Sequence, residues 1–385
     1  MLESKHYYRV FNSKKKSLFL DITQKLRFMT QFSAHCQKDT AFGESVRKRV
    51  YEYMKENDLS KRANAGMISK TLLFFGLYVT IFLGLLWNPF HSLVWMFLFY
   101  GSLGIILGAI GMNIMHDKVH GAYAESPVWN FLLEIPIFLI GVEPSIWYIE
   151  HNVLHHNFTN VEGTDHDIHH RFVFRFSENQ PKRWFHRFQH LYASFIYGML
   201  LFEWFTVKDF VKVIQYRKKN LIHSDKKAFR LFVQILLKKT AFHAIFLGIP
   251  MLVINFNPGW ILVAYVSMLV CGGFWMTMVF QLAHLVPDVR FIPNDQDNIE
   301  ENWFIHQLQT TSNFANDNSL LTKIIGGLNF QIEHHLFPSI CHVNYPQIAP
   351  IVKKTAEEFG VPYYYLPTVG SAIRAHFRLL KSLGN

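Results

Sequence analysis

At 385 residues the chain has room for one large domain or two small ones. Half of it is hydrophobic and only 17% is charged, against about 25% in an average soluble domain, so with its 37 Phe it points toward a membrane. The net charge of +10 suits the anionic face of a bilayer; no groove-reading module is visible, which excludes nucleic acid as the partner.

The N-terminus, MLESKHYYRVFNSKKK, is basic and has no short apolar stretch with a cleavage site behind it, so it reads as no secretory signal. Residues 1–70 are expected to form a basic cytoplasmic region. From Thr71 to Met115, and again from Thr240 to Pro287, the chain carries no Asp, Glu, Lys or Arg. Turn signals divide both tracts, Asn88-Pro89 in the first and Asn257-Pro258-Gly259 in the second. A spanning helix takes roughly 17–25 apolar residues. Each tract therefore predicts a helical hairpin, with spans over about 71–87, 93–115, 241–256 and 260–283.

The fold class is thus an all-α multi-pass membrane protein with four transmembrane helices. The membrane domain runs over 71–345, followed by a cytoplasmic C-terminal tail at 346–385. Neither short turn holds a Lys or Arg, so the positive-inside rule places both termini and the middle segment on the cytoplasmic side. Residues 127–149 and 188–207 are hydrophobic but interrupted by Glu134, Pro136, Glu143 and Pro144, and by His190 and Glu203. Both read as helices lying on the interface. Cys36, Cys271 and Cys341 form no CxxC pair, which argues against a disulfide framework or a thiolate metal site.

Among 21 His, one subset is regularly spaced. His116 and His120 stand in HDKVH, and their spacing of four puts both on one helical face. His151, His155 and His156 stand in HNVLHH, the same pair with a third imidazole beside it. His334 and His335 stand in QIEHH with Gln331 three residues ahead, and His284 sits where the fourth span ends. Taken singly, each is as well explained by interfacial packing. Together they fall on one side of the bilayer, where ionisable groups are costly and functional. Eight imidazoles exceed what one ion holds, so two ions are implied. Imidazole suits iron, copper, zinc and nickel alike, so spacing leaves the metal open. Asp117, Asp165, Asp167 and Glu333 are candidate acceptors for the outward ring nitrogen of a ligand, or else solvated surface charges.

HxxxH, HxxxHH and QxxHH, in this order and separated by apolar hairpins, resemble the boxes of the membrane fatty-acid desaturase family. The resemblance covers about Thr71 to Phe337. Gln331 in place of a first His resembles the front-end branch, which includes Δ5, Δ6 and sphingolipid Δ8 types. It implies two iron ions that activate O2 to make a cis double bond in an acyl chain. It also implies that His116, His120, His151, His155, His156, His284, His334 and His335 are iron ligands, with Gln331 a weak ligand or a water-orienting group. Many front-end enzymes carry a fused cytochrome b5 domain with an HPGG motif, absent here. Electrons are then expected in trans from a cytochrome b5, ferredoxin or flavoprotein, received on basic faces at 206–239. The substrate is expected to be an acyl-CoA or acyl-lipid within the bilayer.

Regioselectivity calls for a narrow apolar tunnel beside the metals. Trp147, Trp303, Phe330 and Phe337 are candidate lining residues, and Gln307, Thr310, Thr311 and Asn313 form a polar stripe for a substrate headgroup. One rival reading is a hydroxylase of a lipid, sterol or carotenoid with the same metal architecture. A second, from another class, is a histidine-rich metal transporter. That would need polar residues along the spans, where His243 alone is a histidine.

Overall fold

The computed structural model describes residues 37–88, 91–134, 137, 141–166, 172–293 and 303–385. Four helices are long and apolar enough to cross a membrane: α2 (Ala65–Trp87), α3 (Leu93–Val119), α7 (Asp225–Val253) and α8 (Pro258–His284). They leave Leu72, Leu83, Leu98, Leu237, Leu252 and Val263 exposed. In water these side chains would make a sticky apolar belt, whereas lipid covers them at no cost.

Helix α8 is the hub. Asn257 caps its start, with the side chain accepting from the Gly259 amide at 2.8 Å and Pro258 fixing the first turn. On one side it meets α3 so closely that a Cβ on Gly104 would lie 2.1 Å from the Met268 carbonyl oxygen. Small residues let backbones approach where lipid supplies no hydrophobic drive between helices. On another side it meets α5 (Gln189–Glu203), whose Ala193, Tyr197, Gly198 and Leu201 are buried while Leu191 and Phe195 face outward. A π-helical turn, Trp204–Lys208, leads from α5 into α6 (Asp209–Lys218).

Three of the four long helices overrun the ends expected from charge. Helix α2 begins before Lys70, and α7 begins well before Ala241 and contains Lys238 and Lys239. The reason is pairing. Lys70 Nζ lies 2.6 Å from His342 Nε2, Lys238 is 2.7 Å from Glu143, and Lys239 is 2.9 Å from Asp209 and donates to the Trp204 carbonyl. A cation satisfied by its neighbours does not end a helix. Helix α3 runs on to Val119 through a π-helical turn, Gly111–Met115, so the first histidine pair stands on it.

The C-terminal stretch, expected as a tail, packs on the rest of the chain. Helix α1 (Gln37–Glu56) lies along α11 (Tyr345–Phe359), joined by an Arg49–Glu358 pair at 2.6 Å and Phe42 edge-on to Phe359. Helix α12 (Val369–Gly384) is pinned by His376, whose Nε2 is 2.9 Å from the Tyr197 hydroxyl and whose Nδ1 donates to the Leu285 carbonyl. Between them β1 (Asn313–Phe314) pairs in parallel with β2 (Tyr365–Leu366), in the register Asn313↔Tyr365.

Candidate metal centre

Four segments deliver the histidines. The end of α3 carries His116 and His120, with ring centroids 4.7 Å apart, as the spacing of four requires. The short helix α4 (Pro144–Tyr148) runs into a π-helical segment, Ile149–His155, and here the structure departs from a simple α-helical pair. The wider π turn bonds the His156 amide to the His151 carbonyl, so positions five apart come together, with the two Nε2 atoms 3.3 Å apart. The last turn of α8 supplies His284, and α10 (Gln331–Leu336) supplies His334 and His335.

All eight side chains converge. The ligand atoms of His116, His120, His151 and His334 lie within 4.8 Å of one another, as do those of His155, His284 and His335. His156 joins His334 and His335 in a third grouping that bridges the two. Gln331 stands at the second group, with its Nε2 2.9 Å from His284 Nε2.

Several outward ring nitrogens have partners, and several inward ones are without a hydrogen bond. His155 Nδ1 lies 3.0 and 3.1 Å from the two oxygens of Asp165, which also accepts from the Asn160 amide. His335 Nδ1 is 2.7 Å from Gln307 Oε1, His334 Nδ1 is 3.2 Å from the Tyr345 hydroxyl, and His284 Nδ1 is 3.4 Å from the Thr310 carbonyl. Facing inward, the Nε2 atoms of His116, His120, His334 and His335 are buried without a hydrogen-bond partner. A cluster of orphaned acceptors is costly unless something electrophilic fills it. Burial, reinforced by the neighbouring imidazoles, holds His151, His156, His334 and His335 well below the usual imidazole range, so they are neutral donors. These residues fit a metal centre.

The other expected site residues divide. Asp165 lies against His155 Nδ1. Asp117 accepts instead from His342 Nδ1 at 2.8 Å and Cys341 Sγ at 3.0 Å, and its nearest approach to His116 Nδ1 is 4.0 Å. Glu333 turns away from the centre to Asn313 Nδ2 and the Tyr363 hydroxyl, and burial pushes its carboxyl up to about 7. Asp167 lies outside the described residues.

Trp147 does flank the centre, stacked on His151 at 4.4 Å and 14°. Trp303 donates its indole N–H to the His156 carbonyl at 3.1 Å. Phe330 and Phe337 pack in a separate core with Phe42, Val46 and Leu308, because α1 and α11 cover them. The polar stripe also points inward. Gln307, Thr310, Thr311 and Asn313 are all fully buried, and their groups are used within the scaffold, as in Thr311 Oγ1 donating to the Gln307 carbonyl at 2.6 Å.

Sequence reasoning missed the buried Asp117–Cys341–His342 cluster with Lys70, and it missed Asn160. Asn160 holds a left-handed backbone at φ 57° and donates to the His284 carbonyl at 3.1 Å. An Asn before a Gly-containing loop is a weak turn signal, and nothing in the motif spacing announces its role.

Residues 93–367 match the family model described as fatty acid desaturase. The chain is 33% identical to an sn-1 linoleoyl-lipid 6-desaturase of Arthrospira platensis, over 90% of this chain and 93% of that protein. It is 31% identical to a protein of the same description from Synechocystis sp., over 89% and 95% respectively. An acyl-lipid (8-3)-desaturase of Physcomitrium patens is 33% identical, over 88% of this chain and 71% of that protein. With its boxed histidines gathered in one buried centre and this similarity spanning most of its length, the chain belongs to the fatty acid desaturase family, as an oxidoreductase of the front-end branch.

Proposed function

We propose that this chain inserts a cis double bond at the Δ6 position of linoleoyl chains carried on membrane lipids. The observation that supports this most is the pair of imidazole groups sharing one buried centre, each with its donor atoms within 4.8 Å. The relatives named as linoleoyl-lipid 6-desaturases support the position and the carrier. In balance, a –CH2–CH2– unit, one O2, two electrons and two protons give –CH=CH– and two waters.

Two iron ions held by His116, His120, His151, His155, His156, His284, His334 and His335 would supply the oxidant that takes hydrogen from an unactivated methylene. The chain's own part is to hold those imidazoles neutral, to aim their Nε2 atoms inward and to keep bulk water out. Trp147, flat against His151, bounds the space where an acyl segment meets the centre. Gln331 leaves its Oε1 without a protein partner, suited to a water or to weak ligation.

We place both termini and the centre on the cytoplasmic side, with electrons arriving from a separate cytochrome b5, ferredoxin or flavoprotein. Lys208 and Lys212 are turned inward onto Glu150, at 3.2 and 3.0 Å. Lys218, Lys219, Lys226, Lys227 and Arg230 remain exposed on α6 and α7, a surface complementary to an acidic donor.

The test is expression in a host fed linoleate, with a competent electron donor and with double bonds located by mass spectrometry of positional derivatives. A new Δ6 bond is expected with the wild type, falling to background with His155→Ala. A hydroxylated product would replace desaturation with the hydroxylase reading. Unchanged lipids with metal-dependent growth would favour a transporter.

A further inference from the structure

Helix α9 (Trp303–Thr310) is eight residues long, yet it touches three of the four histidine-bearing segments. Its contacts fall at positions 303, 307 and 310, which the helical repeat puts on one face. The Trp303 indole N–H donates to the His156 carbonyl at 3.1 Å, at the end of the second box. Gln307 Oε1 lies 2.7 Å from His335 Nδ1 in the third box and 3.0 Å from Thr159 Oγ1, three residues after the second. The Thr310 carbonyl lies 3.4 Å from His284 Nδ1. From the other side the helix is anchored by Leu308, fully buried in the core formed with Phe42 and Val46. It is a fixed strut.

We propose that α9 is the positioning element of the metal centre, and that Gln307 is the positioning residue that fixes the tautomer of His335. The carbonyl oxygen of an amide only accepts, so it takes a proton on His335 Nδ1 and leaves the lone pair on Nε2, the buried atom that faces the other imidazoles without a hydrogen-bond partner. Gln307 is fully buried, and its own Nε2 has no partner, so the amide is held by this one oxygen and by the packing around it. Asp165 does the same for His155 with a carboxylate, so two neighbouring ligands of one group are oriented by acceptors of different charge. This inference rests on the di-iron reading above.

Two variants of the full-length chain, purified in detergent and titrated with ferrous iron, test it. Gln307→Leu keeps the volume but removes the acceptor. It should weaken one of the two bound irons by about 10–100-fold while leaving the other in place. Gln307→Glu keeps and strengthens the acceptor, and should hold both irons with an altered Mössbauer signature for one of them. Gln309→Leu, on the same helix but bonded to Arg290 Nη1 at 3.1 Å outside the centre, should match wild type.

Tight binding of both irons by Gln307→Leu overturns the assignment. So does a Gln307→Glu chain that fails as badly as Gln307→Leu, since packing alone would then explain both. If Gln307→Leu does not fold, an unaltered spectrum from folded Gln307→Glu overturns it equally. A wild-type chain that binds no iron instead fails the underlying reading, and the strut's role with it.

Discussion

The two imidazole groups are built differently. In the group of His155, His284 and His335, each ring has a protein oxygen behind it: Asp165, the Thr310 carbonyl and Gln307. In the group of His116, His120, His151 and His334, ring packing is prominent among the described contacts. Trp147 stacks on His151, His116 and His120 pack edge to face, and the Tyr345 hydroxyl stands behind His334. Hydrogen-bonded rings resist rotation, whereas stacked rings slide at little cost. We expect the oxygen-backed group to be the stiffer and the ring-packed group the more adaptable.

Substitutions behind the ligands break or sharpen this contrast. Asp165→Leu strikes the stiff group hardest, because it removes a charged acceptor that also receives the Asn160 amide. We expect about 10–100-fold weaker binding of one iron in a ferrous titration, with the second unchanged. Equal loss of both would show the groups to be one unit. Trp147→Leu strikes the adaptable group through packing, worth about 0.5–1.5 kcal/mol. Iron affinity should fall by only about 2–10-fold, while the distribution of double-bond positions, read by mass spectrometry, broadens. An unchanged product distribution would remove Trp147 from the acyl path. Tyr345→Phe is the mildest, since a neutral hydrogen bond at 3.2 Å contributes about 1 kcal/mol at most. Activity should stay within about fivefold of wild type. A loss as large as that of Asp165→Leu would erase the distinction between the groups.

Much of this was legible in the residues themselves. The four long apolar helices and the box motifs follow from charge-free tracts and spacing. What escaped was whatever depends on contacts distant in sequence. Lys70, Lys238 and Lys239 looked like helix ends because a sequence cannot announce that His342, Glu143 and Asp209 will meet them. The HNVLHH box was read with α-helical spacing, whereas a π turn brings His151 and His156 together. A single inserted turn of that kind leaves no periodic trace in five residues. Polar residues after a span suggest a headgroup contact, and Gln307 fits that pattern. Its true neighbour, His335, belongs to a box 28 positions away.

The close approach of α3 to α8 at Gly104, near the middle of both helices, bears on their histidine-bearing ends. One carries His116 and His120, and the other ends at His284, so their separation within the bilayer is the gauge that spaces two ligand-bearing ends outside it. A single methyl group at position 104, 12 residues before His116, would have to wedge against the Met268 carbonyl and lever those ends apart. The breadth of the catalytic centre is in this sense written into a glycine that never touches it.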